Sequence, residues 1–252
     1  MTDTAAPEPG PELLRFAARY PFPLDDYQRV ACAHLESGSG VLVAAPTGAG
    51  KTVVGEFAAH LALAQGRKCF YTAPVKALSN QKYRDLVAEH GTEAVGLLTG
   101  DVSISSEAPV VVMTTEVLRN MIYASSPTLA GLGYVVMDEV HYLADRFRGP
   151  VWEEVILGLA ESVQVVALSA TVSNAEELGD WLSEVRGAVA VVVSEHRPVP
   201  LYQHVLAGSR LYDLFAQEAP TARALPGGPA DVNPELLKLA RQDRRTRDDA
   251  RR

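Results

Sequence analysis

Short, continuously apolar runs recur along the first three quarters of the chain. They are V-L-V-A-A (41–45), K-C-F-Y-T-A (68–73), A-V-G-L-L-T (94–99), P-V-V-V-M-T (109–114), Y-V-V-M-D (134–138), Q-V-V-A-L-S (164–169) and A-V-A-V-V-V-S (188–194). None alternates apolar with polar, which is the pattern of strands covered on both faces. Between them lie segments of helical character: T-V-V-G-E-F-A-A-H-L-A-L-A-Q, K-A-L-S-N-Q-K-Y-R-D-L-V-A-E-H, E-V-L-R-N-M-I-Y-A and W-E-E-V-I-L-G-L-A. Strand–helix repetition at this spacing predicts an α/β fold, a mostly parallel sheet with helices on both faces.

Punctuation sets the expected boundaries. Ser173 with Glu176 reads as a capping box, and Asn233 before Pro234 as a cap followed by a first-turn proline. The α/β pattern stops near Ser194, H-R-P-V-P leads out of it, and T-A-R-A-L-P-G-G-P-A-D-V-N-P is a Gly/Pro-rich linker. The predicted organisation is a floppy, acidic and Pro-rich arm over 1–20, an α/β domain over 21–197, an exit strand (within V-P-L-Y-Q-H-V-L-A) and linker over 198–232, and a charged helix or tail over 233–252.

Composition narrows the classes. The chain is 47% hydrophobic and 21% charged, enough apolar residues for a packed core. No apolar run approaches a membrane span, and the first residues lack a basic start and apolar stretch, so a cytoplasmic protein with no membrane association is expected. Cys32 and Cys69 form no metal-like pair, and no histidines stand in H-E-x-x-H spacing, so no zinc site is expected. A net charge of −8 argues against a uniformly basic surface but leaves room for a local nucleic-acid groove. The last twelve residues carry six arginines against three aspartates, read as a solvated helix end.

Two motifs carry chemistry. A-P-T-G-A-G-K-T (45–52) follows an apolar strand and opens a helix. It departs from the P-loop pattern only at Ala45, where the pattern has glycine. Thr47, Gly48, Ala49 and Gly50 would turn backbone N–H groups toward a phosphate. Lys51 would reach the β- and γ-phosphates, and the Thr52 hydroxyl would ligate Mg²⁺. The apolar run Y-V-V-M ends in Asp138-Glu139-Val140-His141. Asp138 would complete the Mg²⁺ shell, and Glu139 would orient or deprotonate water. With Lys51, these two acids are the expected catalytic set of a nucleoside triphosphatase.

With S-A-T (169–171), these motifs occur in the order found in superfamily 2 helicases, where alanine at the first P-loop position is usual. P-V-K-A-L-S-N-Q-K-Y-R (74–84), M-T-T-E-V-L-R-N-M (113–121), D-E-V-H-Y-L (138–143) and R-G-P-V-W-E-E (148–154) further resemble the superkiller-type DExH-box (DEVH) RNA helicases. That family includes helicases that feed RNA to exosome-like nucleases and a bacterial branch found in actinobacteria. The resemblance covers residues 20–215 and implies a RecA-like lobe, ATP with Mg²⁺ as cofactors, single-stranded RNA as partner with DNA left open, and an RNA-decay nuclease as a partner of the longer protein.

Site roles implied by the resemblance fall on matched positions. Phe22 and Gln28 match the adenine-recognition segment, although Asp25 and Gln28 also make a capping-box-like helix start. Pro74, Lys76, Thr99, Gly100, Asp101, Thr114, Thr115, Glu116 and Arg119 match segments that grip one nucleic-acid strand through phosphates. His141, Ser169 and Thr171 would couple the ATP site to domain movement. Trp152, Glu153 and Glu154 read as packing and helix surface.

Residues 195–252 contain neither a second strand set nor a Q-x-x-G-R-x-G-R-like segment, so the sequence reads as the first lobe of a longer helicase, with the second lobe absent. Competing readings are a superfamily 2 DNA helicase or translocase lobe, a nucleotide-dependent RNA-binding module without turnover, and a small-molecule kinase. The kinase reading leaves S-A-T and the 74–84 segment unexplained.

Overall fold

The computed structural model describes residues 7–170, 174–216 and 232–249, with side chains as far as 241. The chain divides into two compact units, Met1–His196 and Arg197–Arg252.

In the first unit each continuously apolar run is a strand. The elements are α1 (Pro11–Ala17), α2 (Asp26–Glu36), β1 (Gly40–Ala44), α3 (Thr52–Gln65), β2 (Lys68–Ala73), α4 (Lys76–His90), β3 (Val95–Leu98), β4 (Ser103–Ile104), β5 (Val110–Thr114), α5 (Thr115–Tyr123), β6 (Leu132–Met137), α6 (Gly149–Gly158), β7 (Gln164–Ser169), α7 (Ala175–Arg186) and β8 (Val189–Val193). They build one eight-stranded sheet in the order β4-β3-β5-β2-β6-β7-β1-β8. Every pairing is parallel except that of the two-residue β4 with β3. Parallel strands need crossovers, and helices supply them on both faces. One face buries Phe57, Leu61, Leu86, Tyr71 and Tyr134; the other buries Trp152, Ile156, Leu118, Leu182 and Met137. The α/β sheet predicted from the apolar runs is the sheet observed.

The N-terminal stretch corrects one expectation. Residues 11–17 are not a floppy arm but helix α1, with Pro11 in its first turn. Leu13 and Phe16, three apart, fall on one face and are buried. The Phe16 ring packs 5.2 Å from that of Phe57 and 5.5 Å from that of His60. The Glu36 carboxylate accepts the otherwise orphaned N–H groups of Glu12 and Leu13 at 2.9 and 3.0 Å. Residues 1–6 of the predicted arm lie outside the described residues, as does Ser173 of the predicted capping box.

The second unit begins with a hairpin where a single exit strand was expected. β9 (His204–Ala207) pairs antiparallel with β10 (Arg210–Asp213) across Gly208-Ser209. Gly208 has φ +64, a value that favours glycine and that this tight turn uses. Helix α8 (Pro234–Asp249) follows. Asn233 caps it as predicted, its Oδ1 accepting the Glu235 N–H at 3.0 Å. Most of the predicted linker lies outside the described residues. No helix among the described residues is long and apolar enough to cross a membrane.

Candidate functional site

Because the strands run parallel, their carboxyl ends open on one edge, where ligand sites form in such sheets. The loops after β1, β6 and β7 occupy one half of that edge. The loops after β2, β3 and β5 occupy the other half.

In the first half, β1 is buried end to end and runs straight into the loop 45–51. Gly48 and Gly50 hold φ +84 and +86, and α3 starts directly behind them at Thr52. The N-terminus of α3 therefore adjoins the loop, the N–H groups of Val53 and Val54 donating to Gly50 O at 3.2 Å and Lys51 O at 3.0 Å. The Lys51 ammonium folds over its own loop, donating to the carbonyls of Ala45 at 2.7 Å and Pro46 at 3.1 Å. Burial lowers its pKa from the ordinary lysine value, against the opposing pull of Glu139 and Asp138. Thr47 and Gly48 are exposed, and Ala49 is buried.

Asp138 and Glu139 emerge from β6 on the same half-edge. The Asp138 backbone N–H donates to Thr72 O at 3.0 Å. Its carboxylate accepts from Tyr71 OH at 3.2 Å and from the Glu139 N–H at 2.9 Å. Burial raises the Asp138 pKa, only partly offset by the positive charge of Lys82 and these hydrogen bonds. Glu139 sits at φ +54, a left-handed conformation costly for a residue with a side chain. There the chain passes from β6 into a 3₁₀ turn, Val140–Ala144, with Glu139 as its N-cap.

Lys82 is the functional candidate that the sequence did not reveal. It lies midway along α4, and its Nζ donates to Thr52 Oγ1 at 3.0 Å. Nothing in S-N-Q-K-Y-R marks it; only the packing of α4 brings it to α3.

Gln28 is buried and fully engaged. Its Oε1 accepts the Asp25 N–H at 2.8 Å, the capping-box bond, while its Nε2 donates to Gly50 O at 2.9 Å. The side chain thus ties the start of α2 to the phosphate loop, which Tyr27 OH also reaches through Ala49 O. Phe22 is 57% exposed, its ring 5.5 Å from that of Tyr20. His141 Nδ1 lies 3.3 Å from Glu139 Oε2 without hydrogen-bond alignment. Ser169 is fully buried at the end of β7, and its Oγ has no partner among the described residues. Thr171 lies outside the described residues.

The other half-edge is more open. Lys76 begins α4, and its Nζ pairs with Asp101 Oδ1 at 2.9 Å, while Thr99 OH donates to the same carboxylate at 2.9 Å. These bonds hold the Asp101 pKa below the usual carboxylate range, although the group is solvent-exposed. Gly100 is exposed beside it, and Pro74 is buried at the end of β2. Thr114 ends β5 as the N-cap of α5 and Thr115 begins that helix, and both residues are buried; the Thr115 hydroxyl has no partner among the described residues. Its side chain does not reach the edge surface. Glu116 is half-buried, and Arg119 lies 3.7 Å from Glu154 of α6. Trp152 is fully buried.

The DEAD/DEAH box helicase family matches residues 25–178. The probable helicase HelY of Mycobacterium tuberculosis is 67% identical over 227 residues, 90% of this chain and 25% of that protein. The ATP-dependent RNA helicase mtr4 of Schizosaccharomyces pombe is 48% identical over 191 residues, 75% of this chain and 17% of that protein. The chain thus spans a quarter or less of these relatives. Among solved structures, the Mycobacterium smegmatis helicase Lhr bound to ssDNA and AMP-PNP aligns at TM-score 0.57 and 27% identity, over 73% of this chain and 27% of that one.

Proposed function

Because the chain belongs to the DEAD/DEAH box helicase family, we propose that it is the ATP–Mg²⁺-binding lobe of an ATP-dependent RNA helicase of the DExH type. The observation that carries this reading is the convergence of Lys51, Thr52, Asp138 and Glu139 on one half-edge of the sheet, beside a second half-edge lined by Lys76, Thr99, Gly100 and Asp101.

The residues fit the nucleotide and its metal. Nothing lies within 4 Å of where a Gly48 Cβ would stand, so the loop is open to an anion there. Lys51 is satisfied only by carbonyls of its own loop, contacts that a triphosphate oxygen would replace. Thr52 and Asp138 together present the hydroxyl and carboxylate oxygens that suit a hard divalent ion. Bound Mg²⁺ would neutralise charge on the transferring phosphoryl group. Glu139, beside Asp138 at the end of β6, orients the attacking water. Phe22 stacks on the base, and Gln28 transmits its position to Gly50. Ser169 and His141 answer to the state of this site, Ser169 through a buried hydroxyl with capacity to spare.

On the other half-edge Lys76, Thr99, Gly100 and the N-terminus of α5 grip phosphates, with Glu116 and Arg119 at the rim. Such contacts position a strand without reading its sequence. RNA is favoured over DNA by the 48% identity to a protein named as an RNA helicase; a single-stranded DNA translocase is the second reading, prompted by the ssDNA-bound Lhr structure. Strand separation is assigned to the longer protein, because this chain spans about a quarter of its relatives.

The test is fluorescent-ATP binding by this chain with Mg²⁺ and, separately, displacement of a bound fluorescent single strand by matched RNA and DNA. Lys51→Ala should weaken nucleotide binding by about a hundredfold, the loss of a charge-assisted phosphate contact. Unchanged affinity would remove the phosphate-loop assignment. Equal displacement by RNA and DNA would remove the RNA preference.

A further inference from the structure

Two lysines converge on the nucleotide half-edge, but the phosphate loop accounts for only one. Lys51 is turned onto Ala45 and Pro46. Lys82 arrives from the other side, on α4, and donates to Thr52 Oγ1 at 3.0 Å. Its Nζ lies 5.9 Å from the centroid of the Tyr71 ring, over its face. The hydroxyl of that same tyrosine donates to Asp138 Oδ2 at 3.2 Å. Lys82 is also the strongest positive charge acting on the Asp138 carboxylate, ahead of Lys51.

Thr52 and Asp138 are the two side chains assigned above to the divalent ion, so an ammonium bonded to one and drawn to the other stands where the ion's charge belongs. A half-buried carboxylate with no nearby cation is costly, and a lysine on a flexible stem can supply the charge and withdraw. We propose that Lys82 is the resident counter-cation of the metal position: it compensates Asp138 and holds Thr52 when no divalent ion is bound, and yields both oxygens when one binds. The proposal rests on the ATP–Mg²⁺ reading above and adds a positioning residue that sets how strongly nucleotide binding depends on the metal.

The geometry gives α4 a second consequence. Lys76 opens this helix on the nucleic-acid half-edge, where it pairs with Asp101. Lys82, six residues on, touches the nucleotide half-edge. Withdrawal of Lys82 from Thr52 therefore takes place on the same rigid element that carries a phosphate-gripping lysine.

The test uses this chain with Lys82→Met, which keeps the stem and removes the charge, and Lys82→Arg, which keeps the charge. Nucleotide affinity is measured by fluorescence in EDTA and across a Mg²⁺ titration, and Mn²⁺ binding is measured separately by electron paramagnetic resonance without nucleotide. With Lys82→Met, Mn²⁺ should bind about tenfold tighter, because no resident charge competes with it, and metal-free nucleotide affinity should fall about tenfold, the scale of one lost charge-assisted contact. Lys82→Arg should stay near the unaltered chain in both. Urea unfolding shows whether Lys82→Met is folded; if it is not, Lys82→Gln takes its place with the same expectations. Unchanged Mn²⁺ affinity and unchanged metal dependence in the charge-free variant overturn the proposal alone. Failure of the unaltered chain to bind nucleotide under any condition overturns the ATP–Mg²⁺ reading, and the proposal with it.

Discussion

The two halves of the sheet's carboxyl edge are built from the same kind of strand but hold their charges differently. After β1, β6 and β7 the ionisable groups are half-buried and shifted by desolvation: Lys51 downward and Asp138 upward. After β2 and β3 the charges stand in water, and Asp101 is shifted the other way, by Lys76 and Thr99 rather than by burial. The first arrangement concentrates electrostatic strength, since fields are less screened where water is excluded. The second is weak and sensitive to salt, as would suit the strand-binding groove proposed above. β2 is the seam between them. Tyr71 and Thr72 support the Asp138 turn, and two residues beyond the strand the chain begins α4, whose Lys76 and Lys82 face opposite halves.

The largest effect should come from the buried half. Glu139→Gln keeps the size of this side chain but removes its capacity to accept a proton from water. Single-turnover hydrolysis of ATP should fall by about a thousandfold, the scale of a lost general base, while ATP–Mg²⁺ affinity stays within about twofold. Persisting hydrolysis would move the water-orienting role to another group and weaken the contrast between the two halves.

A smaller effect separates two glycines of the phosphate loop. Both have positive φ, so alanine is strained at either. A Cβ on Gly48 would meet nothing within 4 Å, whereas one on Gly50 would come within 2.8 Å of Gln28 Nε2. Gly48→Ala should cost about 1 kcal/mol of stability and Gly50→Ala about 2 kcal/mol, because the second also displaces Gln28 from its bond to the loop. Urea unfolding distinguishes them. Equal costs would mean that the Gln28 link to the loop is incidental.

How much of this was legible in the sequence follows the same division. Burial writes itself into composition: the strands are apolar throughout, so β1, β2, β3, β5, β6, β7 and β8 could be read directly, and with them the edge on which 45–52 and 138–139 converge. Three features were not. β4 is two exposed residues, too short for any period to show. Helix α1 was masked by the prolines and acids around it, although Leu13 and Phe16 already stand at helical spacing. The β9–β10 hairpin turns on Gly208-Ser209, a short signal inside a stretch that otherwise reads as one exit strand and linker. The site shows the same limit. Lys51 and Asp138 belong to local motifs, whereas Lys82 acquires its meaning only from a contact 30 residues away, with Thr52, and the positive φ of Glu139 has no glycine to announce it. Thr115 lies inside a motif but is buried, so motif membership alone did not tell a side chain that faces solvent from one that packs.

The smallest expected effect lies in the open half, and its sign is its value. Asp101 is an anion in a groove assigned to a polyanion, yet it is held ionised by Lys76 and Thr99. Substitution removes that charge outright. In the free chain Asp101 competes with phosphate for Lys76, and Asp101→Asn ends that competition. Single-stranded RNA should then bind about twofold tighter at low ionic strength, with the gain vanishing as salt rises, because an exposed pair is worth little and is screened within a Debye length. Filter binding across a salt series reads both the gain and its decay. Weaker binding in the variant would show that Asp101 contacts the strand itself rather than restraining Lys76, and the open half would then owe part of its grip to a carboxylate.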